Sequence, residues 1–340
     1  RQSGLIESQS AAATDGQGNI VIVRNSTGVM TIIASNNWGL SYKGVVDDTA
    51  IGARAFTGVS YSSGGDRFIA IAGSGGSTGA DKITRSVDGG QTWSNVGPAT
   101  AGIYMAIATD GGNNWVVVGS NGVSSYNVRY SSDGGTTWTP ATGTGLHGGD
   151  TFYSATYGNG KFVIGGNAVG TNAPICFVSS DNGVNWTAAT TPPGGNRNFR
   201  AIAYRPPIGG QTVGEWVAGM GTGSTADGNI HRSVDDGDTW QAQSLPIDTV
   251  GSSEYFNAKF ARVFNGVFFL GGELFQSGST QCPVLMKFSE FGRYAFVHNP
   301  YGSDLYDFRD MISVRGGYVI VGYSNTISNY DYILLSANLI

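Results

Sequence analysis

The reading turns on Ser86-Val-Asp88-Gly-Gly90-Gln-Thr92-Trp93, a stretch that the chain repeats. It returns almost unchanged as Ser131-Ser-Asp133-Gly-Gly135-Thr-Thr137-Trp138, Ser179-Ser-Asp181-Asn-Gly183-Val-Asn185-Trp186 and Ser233-Val-Asp235-Asp-Gly237-Asp-Thr239-Trp240. The shared pattern, S-x-D-x-G-x-T-W, is that of a tight turn. An Asp carboxylate can accept from the backbone N–H groups that such a turn leaves over, and the hydroxyls tie it down. Its central Gly supplies a conformation that a Cβ opposes. The Trp carries a ring large enough to fill the space between two sheets. Asp88, Asp133, Asp181 and Asp235, with Trp93, Trp138, Trp186 and Trp240, are therefore expected to be structural.

Weaker copies begin at Ser35, Phe288 and Ser336, so first positions fall 45 to 55 residues apart along the 340-residue chain. That period suits a four-stranded propeller blade. Upstream of the motif stand two apolar runs around a Gly- or Asn-rich turn, as in Ala106–Thr109 with Trp115–Val118, or Met311–Ser313 with Tyr318–Val321. These read as a hairpin, with a third strand leading into the motif and a fourth leaving it. The expected fold is all-β: one seven-bladed β-propeller domain over residues 1–340. Its blades run approximately 11–50, 55–100, 103–143, 151–192, 198–246, 255–298 and 307–340 plus 1–9. The N-terminal segment is expected to complete the last blade, because an open sheet edge invites aggregation.

Composition narrows the function classes. Charged residues make up 13% of the chain, the formal net charge is −5 and no Lys/Arg cluster appears, so nucleic acid is not an expected partner. No apolar run approaches a membrane span, and membrane insertion is not expected. Cys176 and Cys282 stand far apart without metal or redox spacing, and His147, His231 and His298 are isolated. Neither metal nor cofactor is expected. Few charges and many small polar residues suit an extracellular or virion-surface protein. The chain starts at Arg1 without an initiating Met and reads as a processed product or an excised fragment.

The four strong motifs resemble the Asp-box, or bacterial neuraminidase repeat, and the resemblance runs through nearly all of the chain. It implies propeller architecture and leaves function open, since this repeat occurs in sialidases, xyloglucan-cleaving glycosidases, receptors, an assembly factor, lectins and phage tail-fibre domains. The chain resembles the seven-bladed lectin-like and tail-fibre members more than the sialidases. A sialidase of the family carries an early Arg in a Tyr/Phe-Arg-Ile-Pro stretch. The nearest strings here, Phe199-Arg200-Ala201-Ile202 and Tyr204-Arg205-Pro206-Pro207, lie mid-chain. A tail-fibre likeness implies a homotrimer.

No catalytic residue is assigned. Asp150, Glu215, Glu254, Glu273 and Asp310 are the acids from which a hydrolase pair would have to be drawn. Aligning the hairpins sets Phe56-Thr57, Tyr104-Met105, Phe152-Tyr153, Phe199-Arg200, Ala258-Lys259 and Phe308-Arg309 in equivalent places, at the start of each innermost strand. Alternation along a strand sends one member of a pair to the channel and the other between blades. Tyr104, Tyr153, Arg200, Lys259 and Arg309 are the ligand-binding candidates. The aromatic members lean towards inter-blade core, and the cations, harder to bury, towards the channel. The long turn 205–215 is expected to build one side of a site. The reading is a non-catalytic module that recognises a cell-surface carbohydrate or a receptor. The alternatives are a glycoside hydrolase or sialidase-like enzyme and, after that, an assembly or scaffold protein.

Overall fold

Strand two of each unit is the most continuously apolar stretch of its repeat, and packing on both faces is the reason. Ile20–Arg24 and Glu215–Met220 are buried along their whole length. In the first unit Val21 and Val23 join a cluster with Phe56, Phe68 and Trp93 of the second. Ile20 and Ile22 point the other way and pack with Ile312, Val319 and Val321 of the last. A sheet covered on both sides needs apolar residues at odd and even positions alike.

The computed structural model describes residues 9–25, 31–45, 54–75, 82–98, 102–120, 127–171, 173–193, 198–221, 230–243, 255–276, 280–290, 293–298, 307–315, 317–323 and 332–336. It is an all-β propeller of four-stranded antiparallel blades. Six sheets have at least four strands each, and a further sheet near the C-terminus has three among the described residues. The innermost strands are Gln9–Thr14, Arg54–Ser62, Ile103–Thr109, Thr151–Gly158, Phe199–Arg205, Tyr255–Phe264 and Asp307–Val314. Each packs on the next, and the last packs on the first, so the strands form a closed circle. Every junction between neighbouring sheets carries its own apolar cluster, including the one joining first and last.

Two expectations need amendment. In place of seven complete blades, the described residues form six plus the three-stranded sheet made of Asp307–Val314, Gly317–Tyr323 and Tyr332–Ser336. Of the segment expected to complete it, residues 1–9, residues 1–8 lie outside the described residues, as does the end of the last motif at Asn338, and Gln9 pairs instead with Arg24 in the first sheet. The third unit also ends earlier than expected. Thr142–Thr144 leaves it and pairs in parallel with Asn185–Ala188 of the fourth sheet, adding a fifth strand there. This covers an outer edge that would otherwise present unpaired backbone groups.

The S-x-D motifs form the expected turns. Ser131 Oγ donates to Asp133 Oδ1 at 2.8 Å and accepts from Gly135 N at 2.9 Å. The same carboxylate accepts from Thr136 N and Thr137 N, each at 3.0 Å. Asp88, Asp181 and Asp235 accept from Thr92 N, Asn185 N and Thr239 N at 2.9 Å. A second role follows from the packing. A Cβ added at Gly135 would stand 2.1 Å from Ile69 Cδ1, so this turn lies directly on the second strand of the preceding sheet.

Candidate functional site

Each innermost strand carries a β-bulge near its start, and the seven bulges are equivalent. The ladder skips Ser10, Thr57, Met105, Tyr153, Arg200, Lys259 and Arg309 in turn. A bulge adds a residue without a partner and re-aims its side chain. All seven line one cavity of about 120 Å³ at the centre of the ring. Glycines on the second strand make this possible. A Cβ at Gly119 would meet Ile103 O at 1.8 Å, and one at Gly166 would meet Thr151 O at 2.0 Å.

The bulges distribute charge unevenly. Arg200, Lys259 and Arg309 follow one another on three successive strands, whereas Ser10, Thr57 and Met105 on the opposite side are neutral. Arg262 adds a further cation to the lining. Lys259 Nζ lies 2.9 Å from Glu273 Oε1, which also accepts from Asn257 Nδ2 at 2.5 Å. Arg262 Nη2 lies 2.6 Å from Asp310 Oδ1. Arg200 rests over the Tyr153 ring, 4.4 Å from its centroid. Burial draws Arg200 down from its usual value, with Tyr153 and Glu273 opposing. It remains a cation, because no environment here approaches what is needed to neutralise a guanidinium.

Four of the five ligand-binding candidates reach this cavity: Tyr153, Arg200, Lys259 and Arg309. Tyr104 does not. It is 1% exposed and packs with Trp115, Val117 and Trp138 between the second and third sheets. The bulge in its strand falls one residue later and turns Met105 to the cavity instead. Ser10, Thr57 and Met105 complete the ring without having been singled out. The long turn after Arg205 is also away from the site. It joins the far end of Phe199–Arg205 to the start of Glu215–Met220, about 17 Å along the strand from the bulge at ~3.3 Å per residue.

The acids are held apart by structural partners. Asp310 is buried at the junction of the sixth, seventh and first sheets, where it accepts from Ala12 N at 3.0 Å, from Met311 N at 2.8 Å and from Arg262. Burial pushes its carboxyl up, while Arg262 and the two N–H donors pull it back. Glu215 pairs with Arg205 and Arg232. Asp150 accepts from His147 N at 3.1 Å and Val169 N at 3.0 Å. Glu254 lies outside the described residues. Asp310 is the single carboxylate lining the cavity among those residues, and they contain no cluster of three or more His, Cys, Asp or Glu able to hold a metal. Cys176 is a buried free thiol, raised by burial.

No family model and no curated protein matches the chain. Solved structures do match in fold. YCF48 bound to D1 peptide has a TM-score of 0.63 at 10% identity, covering 99% of this chain and 96% of the other. The GH74 xyloglucanase from Xanthomonas campestris has a TM-score of 0.57 at 13% identity, covering 92% of this chain and 50% of the enzyme. The chain thus spans about half of that xyloglucanase. Together with the ring of sheets, these likenesses define the class: this is a β-propeller.

Proposed function

We propose that this propeller is a non-catalytic binding module, working at an extracellular or particle surface, that takes its ligand at the bulge-lined cavity. The supporting observation is that seven side chains turn into one space, cationic on one side, with a single lining carboxylate among the described residues. A glycoside hydrolase needs two carboxylates facing each other across the scissile bond. In this reading residues 1–8 supply a fourth strand to the seventh blade, which closes the sheet edge. The partner is a cell-surface glycan or a receptor protein. YCF48 is solved with a peptide, so proteins stand beside glycans among the partners to test.

The test is a screen of immobilised glycans and peptides, with a hydrolysis assay on every hit. Binding without turnover is the expected result. Turnover that disappears on substituting one carboxylate in a variant that still folds would replace this reading with the hydrolase.

A further inference from the structure

We propose that Asn159-Gly160 is a site of spontaneous modification, where the Asn159 amide cyclises onto the next backbone nitrogen and the product unties the fourth sheet from the fifth. The inference is independent of the binding-module reading. Gly158 pairs with Lys161, so these two residues alone join Thr151–Gly158 to Lys161–Asn167. Both take positive φ, 48° at Asn159 and 76° at Gly160, the backbone of a two-residue hairpin turn. The amides of the two central residues stand outside the ladder in such a turn. Both residues are exposed, and a Cβ at Gly160 would meet nothing within 4 Å. Solvent base therefore reaches the Gly160 nitrogen, and glycine puts no side chain between it and Asn159 Cγ.

The step needs only water and hydroxide. Hydroxide takes the Gly160 N–H proton, and the nitrogen forms a bond to Asn159 Cγ. The Cγ–Nδ2 bond breaks, and the amino group leaves as ammonia with a proton from water, which restores the hydroxide. Water then opens the cyclic imide. Addition at Cγ leaves an aspartate. Addition at the main-chain carbonyl leaves an isoaspartate, whose backbone runs through the former side chain. Nothing is oxidised or reduced.

The fold sets which Asn-Gly pair reacts. Asn182-Gly183 lies in a motif turn, where the buried Gly183 N donates to Ser179 Oγ at 3.0 Å, so the attacking nitrogen is engaged. At Asn265-Gly266 the Gly266 carbonyl accepts from Arg205 Nη1 at 2.9 Å, which pins the turn. At Asn159 the restraint is on the side chain. Asn159 Nδ2 donates to Asp236 Oδ1 at 2.7 Å, and Lys161 Nζ donates to Oδ2 at 2.9 Å. Asp236 belongs to the motif turn of the fifth sheet, so these contacts tie two sheets together. Burial pushes its carboxyl up, but donation from Asn159 and Lys161 outweighs this and holds it below its usual value. Cyclisation has to break the Asp236 contact. Asp236 is thus a positioning residue that slows the reaction, and the reaction removes its donor. A new carboxylate at position 159 then faces that of Asp236, and like charges so close repel.

The experiment incubates the full chain in mildly alkaline buffer and follows the tryptic peptides Tyr130–Lys161 and Phe162–Arg197 by fragmentation mass spectrometry, against unincubated protein. The mass gain of amide-to-acid conversion should accumulate faster at Asn159 than at Asn182, and faster as pH rises. In the urea-unfolded chain the two sites should convert alike, which separates fold from sequence. Asp236→Ala should speed conversion at Asn159 about fivefold, the net worth of one hydrogen bond, and leave Asn182 unchanged. Gly160→Ala should slow it in a variant that melts as a folded protein. Asn159→Asp installs one product and should melt below the parent.

Conversion at Asn159 no faster than at Asn182 in the folded chain overturns the site. Unchanged conversion in folded Asp236→Ala overturns the role given to Asp236. An Asn159→Asp melt identical to the parent overturns the assigned loss of the tie between sheets.

Discussion

Asp133 shows what the motif acids do. Desolvation pushes its carboxyl up, but donation from Thr137 N, Thr137 Oγ1, Ser131 Oγ and Thr136 N outweighs this and holds it at about 2. A carboxylate lower in the fold than in the open chain stabilises the fold fully above its unfolded value of about 4. That contribution drains away as pH falls through about 2. Melting temperature followed from neutral to strongly acid pH should therefore fall more steeply for the parent than for Asp133→Asn. Beside it, Ser131 is buried and serves both Asp133 and Gly135. Ser131→Ala should cost about 1–2 kcal/mol in urea denaturation, because a buried donor and acceptor lose their bridge. These roles were legible from residue types alone, since an Asp two residues after a Ser and two before a Gly has few other uses. Tyr104 was not legible in the same way. The pair Tyr104-Met105 states that one side chain faces inward without stating which. Tyr104→Ala should cost about 3–5 kcal/mol as a core truncation while leaving ligand binding to the folded fraction unchanged.

At the scale of the strand, the bulge decides which residues can meet a ligand. Simple alternation would put Phe56, Phe152 and Phe199 on the opposite face from Thr57, Tyr153 and Arg200, and it does. It cannot show why seven strands all present the same place to the channel, which follows from an extra backbone residue that has no signature in side-chain pattern. The one trace in the sequence is on the partner strand, where Gly follows the apolar run: Val118-Gly119, Ile164-Gly165-Gly166, Leu270-Gly271-Gly272. Interior Gly in a strand marks a close backbone approach. Gly119→Ala should therefore be severe. Its Cβ would fall 1.8 Å from a carbonyl oxygen, an overpacking that costs about 1–3 kcal/mol or more. Chemical denaturation reads the loss, and a Gly111→Ala control, with nothing near its Cβ but φ at 81°, separates steric clash from backbone strain.

Across the whole molecule, stability depends on the circle being complete. Asp310 joins three sheets through Ala12 N, Met311 N and Arg262. Asp310→Asn should lower stability by about 1–3 kcal/mol. That lies below the ~3–5 kcal/mol of a fully buried pair, because the Arg262 side chain is 39% exposed and stays partly hydrated. The repeat period made this architecture readable. Its exact strand complement was less so, since Thr142–Thr144 crosses from one unit to the edge of the next, and no local pattern announces a strand borrowed between repeats.

Closure can be measured on a background with Cys176→Ala and Cys282→Ala. Ser10→Cys and Arg309→Cys place two thiols on the first and last innermost strands, both lining the same cavity. A short bis-maleimide should join them within one chain at high dilution, seen as a linked peptide mass from monomeric protein. Ser10→Cys with Thr57→Cys, on adjacent early strands, serves as the positive control. If that control links while the Ser10–Arg309 pair gives only unlinked or intermolecular products, the sheets do not form a ring and no common cavity gathers the cations.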